Sequence, residues 1–199
     1  MSSQLGSLFV AELQRLRDEA EHVYTALVLP GWGGAQHGLP DTLYGYIMGA
    51  FARLDLFSHH WQGKKANDSK RMVDFMCAYM RPERRANSVS VNVWRHNLMH
   101  SASPRRLLDR TSGQQVGWLL HWGDEHLPRE QHFQFQSGGQ VLSVSLFGLL
   151  DDLANGLQRY TQKLGGDSEL QRKFEKVARE IDGAVLQNYK RCCAVRPNE

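Results

Sequence analysis

Apolar residues recur at helical spacing through most of the chain. Phe9, Leu13, Leu16, Ala20, Val23 and Leu27 step alternately by four and three residues, which places them on one stripe of a first helix. PGWGGAQHGLP (30–40) is dense in Gly and Pro and reads as a loop. Asp41 then has the chemistry of an N-cap. Leu43, Ile47, Ala50, Leu54 and Phe57 give a second helix its apolar face. WQGKKANDSK (61–70) is a polar break. A third helix is predicted over 68–80, with Met72, Met76 and Tyr79 inward and Pro82 ending it.

The next segment, SVSVNVWRHNLMHSASP (88–104), carries two patterns. Val89, Val91 and Val93 alternate with polar residues, as in a strand; Val91, Trp94 and Leu98 share a helical face. A helix ending near Ser101 is preferred, because it completes a four-helix bundle before Pro104. Beyond it the period becomes two. HFQFQ (132–136) and VLSVSL (141–146) alternate around SGGQ and predict a hairpin, with RLLD and VGWLLHW as companion strands. Helical spacing then returns at Leu146, Leu149, Leu153, Leu157, Tyr160 and Leu164. Gly165-Gly166 ends that helix, Ser168 with Gln171 has the form of a capping box, and Leu170, Phe174, Val177 and Ile181 line the last helix. The expected fold is therefore mainly α: a helical bundle with a small antiparallel β-sheet inserted between the fourth and fifth helices. One domain over 1–199 is expected, divided into a bundle at 5–104, a β insertion at 105–146 and two C-terminal helices at 146–191.

Composition narrows the class without naming an activity. The chain has 199 residues, 41% of them apolar and 23% charged, which is ordinary globular usage. No apolar run is long enough for a membrane span, and the N-terminus lacks the basic head and apolar run of a secretory signal. Cys77, Cys192 and Cys193 are odd in number and badly spaced for a disulfide framework or a zinc site, which points to a reducing cytoplasm. Vicinal Cys192-Cys193 reads as a plain surface position. Net charge is only +3, but Lys64–Arg110 holds 11 Lys/Arg against 4 Asp/Glu. A basic region of this kind attracts a polyanion, or is simply a solvated face.

Within that basic stretch, VWRHNLMHSASPRR (93–106) sets Arg95, His96, Asn97 and His100 within two turns. A guanidinium forks onto phosphate, and an imidazole moves a proton near neutral pH. Together they suffice for metal-independent RNA cleavage, in which a 2′-hydroxyl attacks its own phosphate while a base, an acid and a cation assist. The segment resembles the signature of the HEPN superfamily (higher eukaryotes and prokaryotes nucleotide-binding): Arg, four to six residues, then His, often with a polar residue after the Arg. Arg95 and His100 match its ends and His96 its polar slot. Arg15 or Arg17 with His22, and Arg53 with His59 or His60, also fit the bare spacing. RDEAEH would repel phosphate and apolar Leu54 follows Arg53, so Arg95 is preferred.

The resemblance covers about residues 5–104 and implies a helical bundle acting as a homodimer, with RNA as the polyanion and no cofactor. It assigns Arg95 to the scissile phosphate, His100 to acid–base work, and His96 and Asn97 to orientation. Some members of the superfamily are binding or scaffolding modules without catalysis, which is the alternative class here, and a cognate protein partner is compatible with either.

Further readings of the same residues stay open. His96 and His100 form an HxxxH pair that, with His59 or His60, would hold a metal. Arg95 can equally salt-bridge within the bundle, and His100 can serve the helix dipole at a C-terminus. Trp32, Trp61, Trp94, Trp118 and Trp122 could stack bases or fill the core. Residues five apart in a regular helix also lie about 140° from each other, so Arg95 and His100 need a loosened helix, or a second copy, to act on one phosphate.

Overall fold

In the computed structural model, which describes residues 2–30, 40–63, 68–95, 106–108, 113–123 and 131–192, the first helix, α1, spans Ser2–Val23. It continues into a wide turn, Tyr24–Val28, where Leu29 N–H donates to the Tyr24 carbonyl at 2.8 Å. Leu13, Leu16 and Ala20 are buried as the stripe requires. The i→i+5 turn then shifts the phase. Val28 is buried in place of Leu27, and Tyr24 packs against Trp122 and Phe147.

Helix α2 spans Pro40–Gln62. Proline at a helix start gives up an N–H that would have no partner anyway, and Asp41 lies inside the first turn rather than before it. The expected face is buried from Leu43 to Phe57, joined by Phe51. Helix α3, Asp68–Phe75, widens into a second i→i+5 turn at Met76–Met80, closed by Arg81 N–H on the Met76 carbonyl at 2.9 Å. Arg81 is extended, as the residue before Pro82 should be.

The ambiguous segment is a helix, α4, over Arg84–Val93. Ala86, Asn87, Val89, Ser90, Val91 and Val93 are all buried. A helix enclosed on most sides needs no polar stripe, so a period-two pattern can appear in it by chance. The predicted end near Ser101 lies outside the described residues.

The insertion forms where the period changes. Strands β1 (Leu107–Leu108), β2 (Gln115–His121), β3 (Gln134–Gln136) and β4 (Val141–Ser145) make one sheet in the order β1-β2-β4-β3. β1–β2 and β3–β4 pair antiparallel. β2 and β4 are parallel, from Gly117 opposite Val141 to His121 opposite Ser145. The sheet is thus mixed rather than wholly antiparallel. β3 takes the outer edge and β4 turns back beside β2, so β4 runs in the direction of β2. Alternation predicts which residues face inward; it does not say which edge a hairpin docks on.

Helix α5, Leu146–Gly166, follows β4 without a linker. Ser145 caps it by accepting from Gly148 N–H at 2.8 Å. Its predicted face, Leu146 to Leu164, is wholly buried, each leucine contributing about 1.5–3 kcal/mol as an upper estimate. Helix α6 spans Ser168–Cys192. Its cap is Asp167, whose Oδ1 accepts from Glu169 N–H at 3.1 Å and Leu170 N–H at 3.0 Å. The expected Ser168–Gln171 box is not used; Gln171 Nε2 donates back to the Leu164 carbonyl at 2.9 Å, closing the end of α5. The chain is mainly helical, with α2 packed against α1, α3, α5 and α6 and the sheet against α4 and the start of α5.

Candidate functional site

The end of α4 is pinned by aromatic stacking. Trp94 lies on Phe51 at 5.5 Å, and Phe51 lies on Trp118 at 5.8 Å, tying α4 to α2 and β2. Both indoles are buried, as is Trp122, while Trp61 packs against the core. These four tryptophans are core residues and not a base-stacking platform; Trp32 lies outside the described residues. With Trp94 turned inward, the next residue turns outward. The Arg95 side chain is 35% exposed, and Trp94 and Arg95 both lie in a third wide turn that follows α4.

Arg95 Nη2 meets Asp68 Oδ2 at 3.0 Å. The other Asp68 oxygen, Oδ1, accepts from Arg71 Nη1 at 3.0 Å. Arg71 is 3% exposed and donates from its other two nitrogens to Asp55 Oδ1 (2.5 Å) and Ser58 Oγ (3.1 Å). α2, α3 and α4 thus meet in one charged corner. A buried guanidinium needs such partners, because its desolvation is otherwise uncompensated.

His59 borders this corner. Burial pushes its pKa below the ordinary imidazole value and the charge of Arg71 adds to this, with Asp55, Glu180 and Asp68 opposing. Its Nε2 is buried without a hydrogen-bond partner among the described residues. The His59 imidazole is thus held within reach of the Arg71 guanidinium and the carboxylates of Asp55, Glu180 and Asp68. The polar side of α2 carried part of this signal: Asp55, Ser58 and His59 are three and four residues apart, one face of a helix. Asp68 and Arg71, three apart at the start of α3, carried the rest.

A second cluster looks catalytic and is not built for it. His132 Nε2 faces Asp152 Oδ2 at 3.3 Å, and the Arg81 guanidinium bonds the same carboxylate oxygen. However, His132 Nδ1 accepts from Ser145 N–H at 2.9 Å. Both ring nitrogens are therefore occupied, and the side chain is 1% exposed. Burial lowers the His132 pKa, with Asp152 only partly offsetting it. Burial raises the Asp152 pKa, but hydrogen bonds from His132 and Arg81 outweigh it and leave the carboxyl below its ordinary value. The ring also occupies the space above Gly148, where an added Cβ would lie 2.6 Å from His132 Cγ. This triad joins the wide turn after α3 to the β4–α5 junction. A buried His121–Ser143 contact at 3.0 Å likewise lies between β2 and β4, with Ser143 fully enclosed.

Of the residues singled out in the sequence, Arg95 is placed half-exposed in an ion pair. His96, Asn97 and His100 lie outside the described residues, as do His37 and His126. His60 is buried between Phe9 and Phe174, apart from any metal-binding group: among the described residues no three His, Cys, Asp or Glu side chains are grouped to hold a metal. Cys193 and the Cys192 side chain lie outside the described residues. Several cations of the basic stretch are paired. Lys70 and Arg84 pair with Asp74, Arg81 with Asp152 and Arg71 with Asp55. Asp55 and Asp152 come from helices outside the stretch, so its local excess overstates its field. No helix among the described residues is long and apolar enough to cross a membrane. Comparison with protein-family models, curated proteins and solved structures finds no match for this chain.

Proposed function

We propose that the chain is a HEPN-like helical protein directed at RNA, a metal-independent endoribonuclease that works as a homodimer, with Arg95 as the ligand of the scissile phosphate. The observation that carries this reading is the setting of Arg95. Its guanidinium is half-exposed on a carboxylate, not enclosed by apolar side chains, and it lies in a wide turn at the end of α4. In this reading His100 moves the proton, and His96 and Asn97 orient the phosphate.

A second reading is favoured by the ion pair itself. If Arg95 exists to tie α4 to α3 through Asp68, the chain is a non-catalytic binding module.

One experiment separates the two. Arg95→Ala and His100→Ala are each expected to lower RNA cleavage by 10²-fold or more, on the order of one lost transition-state donor. Their melting temperatures should stay within a few degrees of the parent, because an exposed ion pair contributes about 0–1 kcal/mol. A large fall in melting temperature with no cleavage to lose supports the module and rejects the nuclease.

A further inference from the structure

We propose that Arg71 and Arg95 form an oxyanion seat that Asp68 fills in the free chain, and that a phosphate group enters by displacing this carboxylate. The inference deepens the reading above and rests on it for the identity of the ligand. Asp68 presents one oxygen to each guanidinium, both at 3.0 Å. Two oxygens of one phosphate can make the same pair of contacts, since guanidinium recognises carboxylate and phosphate with similar geometry. A resident carboxylate is thus a competitive stand-in for the ligand.

The pair is built to exchange. Arg71 is buried, but it keeps Asp55 and Ser58 when Asp68 leaves, so no buried cation is stranded. Asp68 and Arg95 are 34% and 35% exposed, so the outer half of the bridge is already in contact with water. The Arg81–Asp152 pair differs. Its carboxylate also holds buried His132, so displacing it would leave that imbalance inside the protein. Asp68 is therefore an internal competitor, and phosphate affinity in the parent chain is lower than the two arginines alone would give.

The test is a titration with inorganic phosphate at pH 7.5 and constant ionic strength, followed by NMR, on the parent chain, Asp68→Asn, Asp68→Ser and Asp68→Asn/Arg95→Gln. Removing the competing charge is expected to tighten phosphate binding by about three- to tenfold in both single variants. The gain should vanish in the double variant. Equal affinity in parent and single variants overturns the proposal. So does a gain that survives Arg95→Gln; that result would place the anion elsewhere, for instance in the 440 Å³ cleft lined by Gln62, Gly63, Arg172, Lys173 and Lys176. Failure of both single variants to unfold cooperatively would make Asp68 a structural tie and overturns it too. Inorganic phosphate has no 2′-hydroxyl, so the titration is independent of cleavage. A seat without RNA cleavage rejects the nuclease and keeps the seat; cleavage that needs Arg95, without the Asp68→Asn gain, does the reverse.

Discussion

At the scale of single residues, two histidines that look alike in sequence have opposite circumstances. His132 has both nitrogens engaged, by Ser145 N–H and by Asp152. His59 has a buried Nε2 with no partner among the described residues. A fully engaged buried ring is a structural part, and removing it leaves a cavity as well as unpaired polar groups. His132→Ala is therefore expected to cost about 3 kcal/mol. Exposed His22→Ala should stay within about 0.5 kcal/mol of the parent. Urea unfolding midpoints compare the two directly, and equal midpoints would remove the structural role assigned to His132. Neither distinction is legible in the chain, because a histidine's partners come from elements far away in sequence.

At the scale of elements, helix faces follow the spacing of apolar residues, but helix ends do not. Ser168 and Gln171 have the right spacing for a capping box, yet Asp167 accepts the first free N–H groups of α6. The sharp turn from α5 puts the carboxylate over the helix start and lets Gln171 reach the carbonyls of α5 instead. Asp167→Ala should then cost about 1 kcal/mol and Ser168→Ala only a few tenths. The order of the two melting temperatures decides the matter. Wide turns after α1 and α3 have the same lesson: each changes which face is inward over a few residues, and neither is announced by composition.

At the scale of the molecule, burial of polar groups couples stability to pH. His132 and His59 have folded pKa values below the ordinary imidazole value of 6.5. The unfolded chain therefore binds those protons first as pH falls. Their contribution is fully present above about pH 6.5 and is lost as acid brings the pH down toward the folded values. Asp152 and Asp74 have folded values below the ordinary carboxyl value, so their contribution holds above about pH 4 and is lost as pH falls through the folded values. Both windows act in the same direction. Calorimetry from pH 8 to pH 3 at fixed ionic strength should show the melting temperature falling in two stages, with the first reduced in His132→Gln. A flat profile between pH 7.5 and pH 5 would contradict the lowered pKa values of these histidines.

The amino-acid order alone determined where the described helices lie, their inward faces away from the wide turns, the β insertion and the positions of its strands. These are local consequences of periodicity, since a stripe of Leu149, Leu153 and Leu157 has one way to be buried. It also marked Arg95, through the residues around it. Only the tertiary structure decided that β2 and β4 run parallel, that α4 is enclosed well enough to hide its stripe, and that Asp55 and Asp152 each pair with an arginine of a basic stretch in which neither lies. It alone set Asp68 between Arg71 and Arg95. Pairing, charge balance and desolvation depend on distances across the fold, and Asp55 and Arg95 join the local Asp68–Arg71 pair only when three helices pack.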